Sequence, residues 1–360
     1  MLARITMIHI YLELGFIFVI SLSILFMMRK IAQRINLVDK PNERKHHTGA
    51  IPLVGGISIC IAFMHFLISN PDLLPNYRLY LLSIFILTLI GAIDDKIDLS
   101  FKVRLIIQAG LSVAMMMIAD IQLYQLGDMF GFGSMNLTGI GVGYLITVFA
   151  VIGAINAFNM VDGIDGLLGG LSIVTFAGLG SVLYLDGQLN LAYLCLVLIV
   201  IILPYVLLNL GVLTRRYKVF MGDAGSMLIG FTVIWFLLLA SQNGTKAPLR
   251  PVTALWLIAV PLMDMAAIMI RRVRRGDSPF KPDREHLHHI FQRLGFSSLQ
   301  TLLIICGIAA AYAAFGIYGE MVNIPEYVMF YLFIGCFLVY AALLSNVWKV
   351  SAKIREWRGL

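Results

Sequence analysis

The sequence predicts an all-α polytopic membrane protein of about eleven transmembrane helices, with a periplasmic N-terminus and a cytoplasmic C-terminus. Three observations carry this. The 360 residues are 60% hydrophobic and 13% charged, against roughly 45–50% and 25% in soluble domains. The apolar residues gather into eleven segments of about 17–22 residues, the length a helix needs to cross about 30 Å of hydrocarbon. Lys and Arg concentrate in alternate connections, which places those connections in the cytoplasm.

The segments centre near residues 19, 60, 86, 112, 148, 176, 200, 234, 261, 309 and 337. Basic residues follow segments one, three, seven, nine and eleven, and the other connections hold few. The first segment lacks a small-residue cleavage site, so a spanning helix is expected there rather than a signal peptide. Cys60, Cys195, Cys306 and Cys336 all lie in apolar segments. They read as small buried hydrophobes without disulfide or metal spacing. The net charge of +7 comes without a nucleic-acid-binding motif. It fits the membrane topology and phosphate-bearing ligands.

Residues 1–360 read as one integral-membrane domain. Its site is built from five cytoplasmic loops at 29–50, 94–104, 156–167, 212–225 and 271–298. The first runs Asp39-Lys40-Pro41-Asn42-Glu43-Arg44-Lys45-His46-His47. It reads as a solvated charge run or as a nucleotide contact, with Lys45 the candidate. Gly55 and Gly56 open segment two, where glycine lets helices approach closely. Segment three ends in Asp94-Asp95, with Asp98, Lys102 and Arg104 after it. Adjacent helical residues point in different directions, so one of the two aspartates is expected to face a shared site directly.

The third loop is the most informative. Asn156, Asn159, Asp162 and Asp165 recur every third residue at the end of a long apolar run. Residues three apart share a helical face, and Gly163 and Gly166 let the chain turn away. Carboxylate and amide oxygens suit a hard cation such as Mg²⁺. A polar turn alone does not require carboxylates beside hydrocarbon, where they are costly.

The fourth loop contains Phe220-Met221-Gly222-Asp223-Ala224-Gly225-Ser226 just before segment eight. Asp223 is either a helix cap or part of a site for a metal–diphosphate at a helix N-terminus. Asp264 lies deep in segment nine, as a polar packing residue or as part of an internal cavity. The fifth loop carries four arginines between 271 and 275, then His286-Leu287-His288-His289. No cysteine and no second histidine pair is nearby. Contact with a phosphate or a sugar hydroxyl therefore fits these histidines better than zinc.

Acidic residues thus come from loops two, three and four, and cations from loops one, two and five. All sit at one rim, whereas a transporter places its polar groups near the midplane with access from both sides. Acids, a divalent cation, Arg and His are the parts used in phosphoryl transfer. A lipid-linked-sugar flippase and a non-catalytic scaffold are the competing classes. The nearly empty outer loops argue against the first, and the convergent acids argue against the second.

Taken together, Ile93-Asp94-Asp95, the Asn156–Gly166 run, Phe220–Ser226 and His286–His289 resemble the polyprenyl-phosphate N-acetylhexosamine-1-phosphate transferases. The order and spacing cover nearly the whole chain. The His-x-His-His form points to the branch that transfers GlcNAc-1-phosphate, with Leu287 standing where that branch usually has Ile. The resemblance implies a multi-pass protein of the bacterial inner membrane whose site faces the cytoplasm. The implied substrates are UDP-GlcNAc and undecaprenyl phosphate, and the implied products are undecaprenyl-diphospho-GlcNAc and UMP. This is the step that starts O-antigen and enterobacterial common antigen chains.

Transfer of another UDP-N-acetylhexosamine 1-phosphate is the alternative. By the same resemblance, Asp223 and Asn159 hold Mg²⁺, or Mn²⁺ in its place, and Asp94, Asp95 and Asp162 are catalytic. Asp94 and Asp95 orient or deprotonate the lipid phosphate, which Arg104 binds. Phe220 stacks on uracil, and Asp165 bonds the edge of that base. Lys45 and Asn156 join the substrate contacts, and His286, His288 and His289 hold the sugar phosphate. The partners are the two substrates and the bilayer, without nucleic acid; a homodimer is left open.

Overall fold

Helices account for nearly all the regular structure in a computed structural model that describes residues 2–40, 49–138, 141–242, 247–279 and 286–346. In chain order they are α1 (Leu2–Ile35), α2 (Gly55–Ser69), α3 (Tyr77–Ile97), α4 (Phe101–Ala119), α5 (Val142–Val161), α6 (Leu167–Leu185) and α7 (Leu189–Asn209). There follow α8 (Gly222–Gln242), α9 (Pro251–Leu257), α10 (Ala259–Arg274), α11 (Leu287–Arg293), α12 (Ser298–Met321) and α13 (Glu326–Ser345). The two-residue strands β1 (Val38–Asp39) and β2 (Ile51–Pro52) pair antiparallel.

Among the described residues, nine helices are long and apolar enough to cross a membrane. All eleven apolar centres fall within helices, but two of them differ from simple spans. The second segment forms the 15-residue α2. The ninth is broken into α9 and α10, which meet at 83°. The break has a covalent cause. Pro261 has no N–H to donate to the Leu257 carbonyl four residues earlier. That carbonyl instead accepts a hydrogen bond from the Thr175 hydroxyl on α6 at 3.2 Å. The predicted loop boundaries shift as well. α1 continues to Ile35 and α10 to Arg274, and α11 lies inside the fifth loop.

The helices arrange around α8, which is buried along nearly its whole length. It packs against α2, α3 and α5, while α1 and α13 lie at the periphery with mostly exposed apolar side chains. Exposed residues such as Phe16, Ile106, Met117 and Leu338 make sense only against lipid, because water would penalise so large an apolar surface. Between helices lipid gives no hydrophobic drive, so close packing and hydrogen bonds must hold them. Glycine supplies the packing. A Cβ on Gly56 would sit 2.1 Å from Gly225 Cα, and one on Gly91 would sit 2.4 Å from Ala224 Cα. The Tyr80 hydroxyl and Thr232 Oγ1, 2.8 Å apart, join α3 to α8 where both are fully enclosed. Cys60 and Cys195 are buried and unpaired in disulfides, consistent with a packing role. These tight contacts fix the N-terminal end of α8 against the C-terminal ends of α3 and α5.

Candidate active site

The last turn of α3 presents Asp94 and Asp95 in different directions. Asp94 is 5% exposed. Its Oδ1 accepts the Leu99 amide at 2.7 Å, and its Oδ2 accepts Arg104 Nη1 at 2.6 Å. Asp95 turns the other way, onto the N-terminus of α8. Its Oδ1 accepts the Asp223 amide at 2.9 Å and its Oδ2 the Ala224 amide at 3.4 Å. A carboxylate there satisfies otherwise orphan N–H groups and favours the helix dipole. So the cap of α8 is Asp95, and Asp223 is the residue whose amide is capped. Gly222 makes this possible. Its φ is +73°, and a Cβ would lie 2.4 Å from Asp95 Oδ2.

Asp223 is thereby turned toward Arg104 and Asn159. Arg104 Nη1, in the first turns of α4, is 3.3 Å from Asp223 Oδ2. Asn159 Nδ2 donates to Asp223 Oδ1 at 2.6 Å and to Ser226 Oγ at 2.7 Å. Asp94, Arg104, Asn159 and Asp223 therefore form one continuous network drawn from α3, α4, α5 and α8. Asn156, one turn back on α5, does not join it. Its amide bonds Gln108 Oε1 on α4 at 3.0 Å and the Ile152 carbonyl at 2.8 Å.

Beyond α5 the chain opens at Asp162, whose side chain remains accessible. The mass of protein around it, and then the Asp223 and Asp165 carboxylates, push it up to about 7. Like charges held close resist simultaneous ionisation, which adds to the upward shift. Asp165 pairs with Lys218 Nζ at 2.5 Å, and the same ammonium lies 5.3 Å from the centre of the Phe220 ring. Phe220 is held by its backbone. Its N–H donates to the Pro52 carbonyl and its carbonyl accepts from Gly55, both at 2.9 Å.

The histidines dock as a unit. His286 Nδ1 donates to Asp264 Oδ2 at 2.8 Å, and Asp264 Oδ1 accepts from Leu287 N at 3.1 Å and from the Tyr340 hydroxyl. The His286 and His288 rings stack 5.8 Å apart at 5°, and His288 touches His289 at 4.2 Å between centres. His288 packs directly on Gly163, where an added Cβ would fall 2.1 Å from its Nε2. Burial, with the neighbouring His289 and His286, pushes His288 down to about 3, so it is neutral at pH 7. Its Nε2 finds no hydrogen-bond partner among the described residues.

The predicted residues Asp94, Asp95, Arg104, Asn159, Asp162, Asp165, Phe220, Asp223, His286, His288 and His289 thus gather at one end of the bundle. Lys45 lies outside the described residues. Three contributors were not assigned from sequence. Asp264 anchors His286. Lys218 pairs with Asp165. Asn209, 2% exposed, accepts from Gly166 N at 2.5 Å and donates to the Val219 carbonyl at 2.8 Å, tying the third loop to the fourth. For Asp264 there was a signal, since an ionisable residue inside an apolar span needs a partner.

The donor chemistry can be tested against Mg²⁺. Among the described residues no group of three or more His, Cys, Asp or Glu side chains is arranged to hold a metal ion. Mg²⁺, however, commonly takes one or two carboxylates and fills its shell with water and substrate phosphates. Asp223 and the amide oxygen of Asn159, at an open rim, fit that kind of site.

Fold and site together define a polytopic helical membrane protein with a phosphoryl-transfer-type cluster of acids, amide and arginine at one membrane rim. The glycosyl transferase family 4 profile matches residues 77–241. Three curated relatives carry the name undecaprenyl-phosphate alpha-N-acetylglucosaminyl 1-phosphate transferase. The protein of Yersinia pestis is 52% identical over 96% of this chain and 94% of its own length. That of Escherichia coli O157:H7 is 51% identical over 94% and 92%. That of Haemophilus influenzae is 49% identical over 93% and 94%. The chain belongs to this family of glycosyl transferases.

Proposed function

We propose that the chain transfers GlcNAc-1-phosphate from UDP-GlcNAc to undecaprenyl phosphate at the cytoplasmic face of the bacterial inner membrane. Undecaprenyl-diphospho-GlcNAc and UMP are the products, and the step opens O-antigen and enterobacterial common antigen synthesis. The relatives' shared name supports the activity. The observation that carries the chemistry is Arg104, held between Asp94 and Asp223 where a spanning helix ends.

In the reaction an oxygen of the lipid phosphate bonds to the phosphorus attached to GlcNAc. The bond from that phosphorus to the oxygen shared with UMP breaks, and UMP leaves with the electron pair. Asp94 and Arg104 place the acceptor phosphate. Asp223 and Asn159 would hold Mg²⁺, or Mn²⁺ in its place, and the ion would offset charge on the diphosphate. Asp162 sits beside them as a further carboxylate. Phe220 and Asp165 receive the uracil, and the Asp264-anchored histidines face the sugar phosphate. Preorganised charge and positioning supply most of the rate in such a reaction.

Purified protein with undecaprenyl phosphate, Mg²⁺ and UDP-GlcNAc should release UMP in step with lipid-linked GlcNAc. A preference for another UDP-N-acetylhexosamine would move the assignment to that sugar, and no UMP from any of them would overturn it. The orientation has its own test. Single cysteines at Lys96 and Phe132, both exposed and separated by α4, should respond oppositely to an impermeant thiol reagent in intact cells. The cysteine at Phe132 is expected to label from outside. Labelling at Lys96 instead would invert the topology.

A further inference from the structure

Lys218 touches both Asp165 and Phe220. Lys218 and Phe220 are two apart on an extended segment that bridges Leu53, and alternate residues of such a segment face the same side. Val219 between them is fully buried, which turns both flanking side chains outward. The Lys218 ammonium lies 5.3 Å from the Phe220 ring centre and 2.5 Å from Asp165 Oδ2. All three side chains stay partly accessible. The contact is set by the fold rather than by chance on the surface. The buried Asn209 amide grips the Val219 carbonyl on one side and Gly166, next to Asp165, on the other.

An aromatic face beside a carboxylate acceptor suits a planar ring that stacks and donates an N–H, as an imide-bearing base does. The ammonium meets both groups at once, by a cation–π contact and an ion pair. A base stacked on that face and bonded to Asp165 needs the same space. We infer that Lys218 is an internal competitor of the nucleobase: its ammonium holds the position between Phe220 and Asp165, and a uridine nucleotide must displace it to bind. This rests on the reading of Phe220 and Asp165 as the nucleobase site. Lys218 is thus a determinant of nucleotide affinity that keeps the recognition groups paired until the base arrives.

Uridine is the probe, because it lacks phosphate and does not respond to lost lysine–phosphate attraction. Binding to the full-length detergent-purified protein is measured by calorimetry for wild type, Lys218→Met, Phe220→Ala and Asp165→Asn. Lys218→Met is expected to bind uridine about threefold to tenfold more tightly, the size expected for one part-exposed ion pair and one cation–π contact. Phe220→Ala and Asp165→Asn should weaken binding.

A second measurement needs no variant. Uridine is neutral and salt screens the Lys218–Asp165 pair, so wild-type affinity should rise with ionic strength. Unchanged or weaker binding by Lys218→Met, with loss in the other two, would overturn the inference and leave the nucleobase reading intact. A wild-type affinity that falls or stays flat with salt would do the same, even if Lys218→Met did not fold. Unchanged binding by both Phe220→Ala and Asp165→Asn would remove the nucleobase reading itself.

Discussion

Asp223→Asn is expected to lower turnover by about a thousandfold while the protein remains folded. Replacing groups that merely orient a metal's ligands typically costs about 10–100-fold, and losing a charged ligand of a hard cation should cost more. The substitution keeps size and shape. Asn159 at 2.6 Å still meets an amide oxygen, and Asp95 still caps α8 through the backbone of residue 223. What disappears is the negative charge that faces Arg104 and would hold Mg²⁺ on the diphosphate. The variant should therefore require more Mg²⁺ as well as turning over more slowly. Rate against Mg²⁺ concentration checks this, with thermal unfolding in detergent as the control for folding. A near-normal rate with unchanged Mg²⁺ dependence would reduce Asp223 to a member of the interhelical network.

Much of this site was legible because its residues carry local signals. The three-residue spacing in the third loop put Asn159 and Asp162 at the end of α5, and paired aspartates at a membrane exit flagged Asp94 and Asp95. Opposed directions for adjacent residues anticipated that one of the pair would face the network directly; which one follows only from the packing of α8, whose first amides take Asp95 and leave Asp94 to Arg104. Spacing also misled. Asn156 shares the register of Asn159, but its neighbour is Gln108 on α4, and no pattern on α5 reveals which helix packs there. Lys218, Asn209 and Asp264 stayed unassigned because each acts through a partner far along the chain. Their meaning depends on tertiary contacts such as Asp264 with His286 or Asn209 with Gly166. The broken ninth span did carry a local signal in Pro261, although hydropathy alone reads the segment as continuous.

Labelled UMP is expected to exchange into UDP-GlcNAc only when the lipid product is present. Two routes are chemically open: direct attack by the lipid phosphate, or prior attack by Asp94 or Asp95 to form an acyl phosphate. A carboxylate nucleophile needs a free oxygen aimed at phosphorus. Both oxygens of Asp94 are engaged, by Leu99 N at 2.7 Å and by Arg104 at 2.6 Å. Both oxygens of Asp95 are engaged by the first amides of α8. The acceptor needs no such help. A phosphate monoester has a second pKa near about 6 and is mostly dianionic at pH 7. It is already a nucleophile, and its requirement is placement. Asp94 meets that requirement by holding Arg104. Asp94→Asn should then cut kcat/KM for the lipid by about a hundredfold, the scale of removing one preorganised charged group, mainly through a raised apparent KM for the lipid. The UDP-GlcNAc KM should change little. Robust UMP exchange by enzyme stripped of all polyprenyl lipid, lost in Asp94→Asn or Asp95→Asn, would establish a covalent intermediate and overturn direct displacement.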